Sequence, residues 1–362
     1  MNTEIQLFSP LPLRSITPRN RIMVSPMCQY SAHDGFTNDW HLVHLGSRAV
    51  GGAGIVMVEA TAVEARGRIS PQDLGLWKDE QIAGLARIAA FIKAQGAVPA
   101  IQLAHAGRKA STRRPWEGRD AVPIGEGGWQ VVGPSAQPFN ATYPLPQPLT
   151  LAGIEAVVAA FALATQRALE AGFEIVEIHA AHGYLIHQFL SPLSNSRQDS
   201  YGGSLENRMR LGLAVTQAVR QVWPEDLPLF VRISATDWVA GGWEIEQSIE
   251  FVQRLADLGV DLIDVSSGGT SPAAQIPLEP GYQVSFAERI RHATGIYTAA
   301  VGLITEPQQA EAIVRSGQAD LVALARAELR DPYWPIHAAQ ALGHDITWPV
   351  QYERAKPVDG SQ

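Results

Sequence analysis

Residues 229–265 read LFVRISATDWVAGGWEIEQSIEFVQRLADLGVDLIDV, and the alternation inside this stretch decides the fold. Leu229-Phe-Val-Arg-Ile233 and Leu262-Ile-Asp-Val265 are short, nearly apolar runs with no in/out alternation. A parallel strand covered on both faces needs that pattern. Between them, Val252 and Leu255 mark a helical face, and Gly259 stands where that helix should end, because glycine enters the left-handed region without steric cost. The unit is strand, helix, strand.

The same unit recurs on either side. Arg21–Val24, Ile55–Glu59, Val98–Leu103, Ile175–Ile178, Ile296–Ala300 and Leu321–Leu324 read as further buried strands. Ile154, Val157, Val158, Phe161 and Ala168 share one helical face, and Leu211, Val215, Ala218 and Val222 share another. Thr305 is placed to cap a helix with Pro307 in its first turn and Gly317 at its close. About eight such units predict an α/β protein, a (β/α)8 barrel in which residues 1–362 form a single domain. Periodicity alone leaves a doubly wound open sheet as the competing architecture. The one long irregular stretch, 104–149, follows the third strand, and loops of that length in a compact domain are usually functional.

Composition narrows the function. The chain has 362 residues, 46% hydrophobic and 18% charged, with a formal charge of −8. That balance offers no cationic surplus for a nucleic-acid partner. The lone Cys28 excludes an internal disulfide or a four-thiolate cluster and fits a reducing compartment. No basic-then-apolar leader is read in Met1–Pro12, and no run of ~18 apolar residues suggests a membrane span. The expectation is a soluble, cytoplasmic protein.

In a barrel, chemistry gathers where strands end. The fourth strand runs into Glu177-Ile-His179-Ala-Ala-His182-Gly-Tyr184. Two histidines three apart could bind a metal, but the neighbourhood offers no obvious third Asp or Cys ligand. Read as neutral donors, they could grip one carbonyl oxygen while Tyr184 supplies a proton from the side. Cys28 follows the first strand, between Pro26 and Tyr30. Gln102 closes the third strand, where an amide offers both donors and acceptors to a planar heterocycle. Arg232 lies inside an apolar run, which is costly unless an anionic or acceptor partner awaits it. Gly302 and Arg326 follow the last two strands, where barrels commonly hold a phosphate. No Gly-x-Gly-x-x-Gly stands between a strand and a helix, so a Rossmann site is not indicated.

Taken together, Ser25-Pro-Met-Cys28-Gln-Tyr30-Ser, Gln102, His179-Ala-Ala-His182-Gly-Tyr184, Leu190-Ser-Pro-Leu-Ser-Asn, Tyr201-Gly-Gly-Ser-Leu-Glu-Asn-Arg208 and Pro349-Val-Gln-Tyr-Glu-Arg354 resemble the Old Yellow Enzyme family. The likeness is nearest to the bacterial branch that includes xenobiotic reductase A and the NADPH dehydrogenase of bacilli. It implies a tightly bound FMN held by Ser25, Pro26, Met27, Cys28, Ala60, Gln102, Arg232, Ala325 and Arg326. Ser267, Gly268 and Gly302 would add phosphate contacts. His179 and His182 would hold a substrate carbonyl, Tyr184 would donate a proton, and Tyr30 would line the substrate pocket. Cys28 would tune the flavin without attacking anything.

The implied reaction is NADPH-driven reduction of α,β-unsaturated carbonyl compounds, with NADH as an alternative reductant. Arg108, Arg113 and Arg114 in the long loop favour NADPH. The resemblance further implies a homodimer or homotetramer, with the tail from about 340 to 362 in the interface and Arg354 entering the neighbouring subunit's site. Ala325 stands where the family often has glycine, which is acceptable if its φ is negative. The iron–sulfur cluster of a related branch cannot be built with one cysteine.

Overall fold

The computed structural model describes residues 5–118 and 120–357. Eight parallel strands close into a barrel: β1 (Ile22–Val24), β2 (Ile55–Ala62), β3 (Val98–Ala104), β4 (Ile175–Ala180), β5 (Leu229–Ser234), β6 (Leu262–Ser266), β7 (Tyr297–Ala300) and β8 (Leu321–Leu324). Each strand pairs with its sequence neighbours, and β1 pairs with β8 through Ile22–Val322, Met23–Ala323 and Val24–Leu324. Closure removes both sheet edges and decides against the open sheet.

Because side chains alternate along a strand, one set points into the barrel and the other toward the helices. Met23, Ile55, Met57, Val98, Ala100, Ile175, Phe230, Leu262, Ala299, Leu321 and Ala323 form one buried apolar cluster, which Leu11, Leu13 and Ile16 of the N-terminal segment join. This cluster fills the lower half of the barrel. The outward set packs under the helices; Ile154, Val157, Phe161 and Ala168 of helix Leu151–Glu170 are fully buried there. That helix is long and apolar enough to cross a membrane by composition, but this face is packed against the barrel.

Small departures from the sequence reading have local causes. The cap of helix Pro307–Arg315 is Glu306, not Thr305; Thr305 donates its backbone N–H to Gln309 Oε1 instead. In helix Leu205–Val222 the buried stripe runs through Leu211, Val215 and Val219, with Ala218 and Val222 on its flank. Gly259 and Gly317 do follow their helices with φ of +85° and +74°. The long loop after β3 contains three short 3-10 turns and a two-residue ladder joining Val132–Gly133 to Gln147–Pro148.

Candidate active site

The upper half of the barrel is polar although almost equally dry. Gln102, Glu177, His179, Arg232, Asp264 and Ser266 are all buried. They lie on adjacent strands in register, with Gln102 opposite Glu177, His179 opposite Arg232, and Arg232 opposite Asp264. Gln102 Nε2 donates to Glu177 Oε1 at 2.7 Å, and Arg232 Nε lies 3.1 Å from Asp264 Oδ2. The ion pair is poorly aligned, so Arg232 Nε and both Asp264 oxygens are buried without a hydrogen-bond partner, and so is Glu177 Oε2. Orphaned polar atoms are rare in folded proteins and are expensive unless something else meets them.

Above this layer, His179 and His182 converge. His179 Nδ1 accepts the Ala181 N–H at 3.3 Å, which leaves the proton of the neutral ring on Nε2. That nitrogen faces His182 Nδ1 at 3.4 Å, while His182 Nε2 lies 2.7 Å from Ser266 Oγ. Burial, and next the Arg232 charge, push both imidazoles well below their usual 6.5, so both are neutral at physiological pH. Tyr184 packs edge-on against His179 with ring centroids 5.1 Å apart, and Lys109 Nζ lies 5.0 Å from the tyrosine ring centre.

The backbone here is built for one geometry. His182 has φ +58°, and its N–H donates to Ser234 Oγ, which in turn donates to Gly268 O. A side chain on Gly183 would meet Gly269 O at 2.1 Å, and one on Gly269 would meet His182 at 2.5 Å. Lys109 Nζ donates to both the His182 and Gly269 carbonyls. Below Gly183, His187 Nδ1 accepts its N–H at 2.9 Å, and Asp237 lies 3.1 Å from His187 Nε2. Burial opposes ionisation of Asp237, but His187 and Ser191 outweigh it and hold the acid at about 2. Tyr30 also takes positive φ, +50°, and meets Trp116 edge-on. Non-glycine residues in this region tend to cluster at functional sites.

Beyond β1, Ser25 is buried, and Pro26, Met27 and Cys28 line the rim partly buried. Burial pushes the Cys28 thiol well above its usual range, and Asp73 and Glu59 add to this; the side chain is a neutral thiol beside the Ala60 backbone. Ala60 and Tyr184 share one small cleft. On the opposite side, a cavity of about 200 Å³ is lined by Gly302, Thr305, Ala325, Arg326 and Arg330. Gly302 has φ +127°, and a Cβ there would press on Gln283 at 2.9 Å. Ala325 has a negative φ, −107°, so it avoids the left-handed region where glycine would be needed.

Not every expected residue reaches this cavity. Ser267 and Gly268 do not line it; Ser266 does. Ser267 Oγ is engaged by Gln283 and Trp238, and the Gly268 N–H donates to Thr236 O. Arg354 is exposed in the turn Val350–Ala355, away from the barrel strands in sequence and joined to the body through Tyr352 against Tyr333. The three loop arginines are committed elsewhere. Arg108 donates to Thr270 O and Gln137 O, Arg113 pairs with Glu126, and Arg114 pairs with Glu117.

A (β/α)8 barrel with a two-arginine anion-binding pocket on one side of its mouth, and buried amide, guanidinium and imidazole side chains on the other, suits a phosphorylated planar heterocycle. It defines a flavin-binding barrel oxidoreductase. Residues 6–345 match the NADH:flavin oxidoreductase / NADH oxidase family, and the chain belongs to it. An NADPH dehydrogenase of Geobacillus sp. (strain WCH70) is 52% identical over 353 residues, covering 97% of this chain and 98% of that protein. Among solved structures, an Old Yellow Enzyme homologue from Zymomonas mobilis superposes with a TM-score of 0.78 at 26% identity, over 95% of this chain and 94% of that one. 2-Naphthoyl-CoA reductase superposes at 0.84 with 28% identity over 94% of this chain, which spans about half (52%) of that longer protein. The resemblance read from the motifs therefore holds, and the protein is an FMN-dependent oxidoreductase served by a nicotinamide.

Proposed function

We propose that this protein reduces the C=C bond of α,β-unsaturated carbonyl compounds at the expense of NADPH, with NADH as a possible substitute. The carrying observation is the neutral pair His179 and His182, 3.4 Å apart and directly above the Gln102–Arg232 layer, with Tyr184 against His179. FMN, when bound, supplies the hydride chemistry.

The chain's own residues do the rest. Arg326, Arg330 and the Gly302–Ala325 cradle take the phosphate, while Gln102 and Arg232 meet the pyrimidine edge of the ring. Ser25, Pro26, Met27, Cys28 and Ala60 line its other border, where an uncharged Cys28 is suited to contact and not to attack. His179 donates from Nε2. His182 becomes a second donor, through Nδ1–H, once the Ser266 hydroxyl turns its proton toward Nε2. Two neutral donors on one oxygen polarise a carbonyl without repelling a cationic neighbour. Tyr184 holds its hydroxyl proton for the α-carbon, and Tyr30 closes the pocket.

The same reading makes the protein a homodimer or homotetramer in which Arg354, exposed on its own chain, completes the partner's pocket. The test is NADPH oxidation dependent on an added enone, paired with phenol titration. Enone-dependent turnover and a long-wavelength phenol charge-transfer band are expected. Yellow protein that oxidises NADPH but shows neither would overturn the substrate assignment.

A further inference from the structure

The proposed chemistry uses Gln102 and Arg232 but gives no work to the two carboxylates buried with them. Glu177 and Asp264 are both fully enclosed, on β4 and β6, on either side of Arg232 on β5. The groups facing Glu177 can be named strand by strand. They are the neutral Gln102 amide from β3, the Arg232 guanidinium from β5 and the Asp264 carboxylate from β6, with neutral His179 one step up its own strand. Below lies only the apolar cluster of Ile175, Phe230 and their neighbours.

One guanidinium cannot offset two carboxylates where water is excluded, because an uncompensated buried charge is among the costliest arrangements in a fold. One proton therefore stays in the layer. Neither Asp264 oxygen accepts a hydrogen bond, but Asp264 Oδ2 lies 3.1 Å from the Arg232 Nε, whereas Glu177 has no cation so near and accepts only the Gln102 amide N–H. Proximity to the guanidinium keeps Asp264 as the anion and puts the proton on Glu177.

We propose that Glu177 is a positioning residue for the flavin: a neutral carboxylic acid that fixes the Gln102 amide and keeps the charge beneath the pyrimidine edge balanced. Burial first, and then repulsion from Asp264, raise its pKa to about 8, against the pull of Arg232. Above that pH the layer gains a negative charge directly under the cofactor, and electrons enter less readily. This step rests on FMN occupying the mouth, not on the identity of the alkene.

Glu177→Gln is the decisive variant, since an amide keeps an acceptor for Gln102 and removes only the ionisable proton. The holoenzyme's flavin midpoint potential, followed from pH 6 to about 9.5 by spectroelectrochemistry, should show in the wild type an additional downward step near pH 8. In Glu177→Gln that step should vanish. Infrared spectra of the wild type at pH 7 should contain a protonated carboxyl stretch that disappears across the same pH range. Asp264→Asn should move the step to lower pH by removing the competing anion. Identical potential profiles for wild type and Glu177→Gln would overturn the proposal, as would persistence in Glu177→Gln of the carboxyl band that titrates near pH 8. If Glu177→Gln does not fold, Asp264→Asn serves instead: Glu59 and Glu328 are buried acids far from this change, so only the Glu177 band should shift its titration to lower pH, and an unshifted infrared titration sinks the assignment. Failure of enone turnover alone would leave these readouts intact and count only against the substrate reading.

Discussion

The lower and upper halves of the barrel interior are built on the same eight strands and are almost equally dry, yet they obey opposite rules. Below, Met23, Ile55, Ile175, Phe230 and Leu262 close on one another and leave no polar atom behind. Above, two residues further along the same strands, Glu177, Arg232 and Asp264 leave buried donors and acceptors unmatched. The lower half is a finished core, and its contribution is dispersion and desolvation. The upper half is finished only by a ligand. A barrel can afford the second because the first holds the strands in place.

Phe230→Ala should break the lower half with little direct effect on the chemistry above. A fully buried phenylalanine truncated to alanine leaves a cavity costing ~3–5 kcal/mol. Denaturant unfolding should show this loss while the folded variant retains a yellow FMN spectrum. A loss below ~1 kcal/mol would mean that the plug is not what anchors the mouth.

The converse change is His182→Ala, or His179→Ala, in the upper half. Removing one donor to a developing oxyanion should slow enone reduction by ~10²–10³-fold and weaken phenol binding, with unfolding close to wild type. Because burial keeps both rings neutral, the histidine contribution should stay flat between pH 6 and 9. A histidine-like titration near pH 6.5 in wild-type phenol binding would contradict that.

Tyr184→Phe sharpens the division within the site. Enone reduction should fall by ~10²-fold, the low end for loss of a general acid, while flavin reduction by NADPH stays largely intact. Rapid-mixing measurement of both half-reactions is the check, and equal slowing of the two would reassign Tyr184 to packing against His179.

The smallest effect is expected at the tail. Truncation before Gln351 should lower activity or substrate affinity several-fold without emptying the FMN site. Sedimentation of wild type and truncated protein belongs with the assay; a fully active monomer would remove Arg354 from the site.

Much of this was legible in the chain itself. Apolar runs such as Leu229–Ile233 needed only local pattern, since a strand covered on both faces must be apolar throughout. Gln102, His179, His182 and Arg232 stood out because polar side chains at the ends of such runs demand partners. Glu177 and Asp264 were equally available to that logic. Glu177 lies two residues before His179 and so shares its face, and Asp264 interrupts Leu262–Val265 just as Arg232 interrupts its own strand. Ser267 and Gly268 were placed by analogy, and of this stretch it is Ser266 that lines the cavity beside Arg326.

What sequence alone determined were the quantities that depend on neighbours in the chain: strand and helix identity, the polar strand ends, and the glycines that permit tight backbone. Tertiary structure decided which of those ends meet. Barrel closure, against an open sheet with the same strands, brought β1 to β8. Contacts across long separations then selected the working groups. His182 finds Ser266 84 residues away, and Arg108, one of the loop arginines read as favouring NADPH, donates to Thr270 O across 162. No local pattern encodes such pairs, because hydrogen-bond partners are fixed by strand register and loop path, and these exist only once the whole barrel has closed.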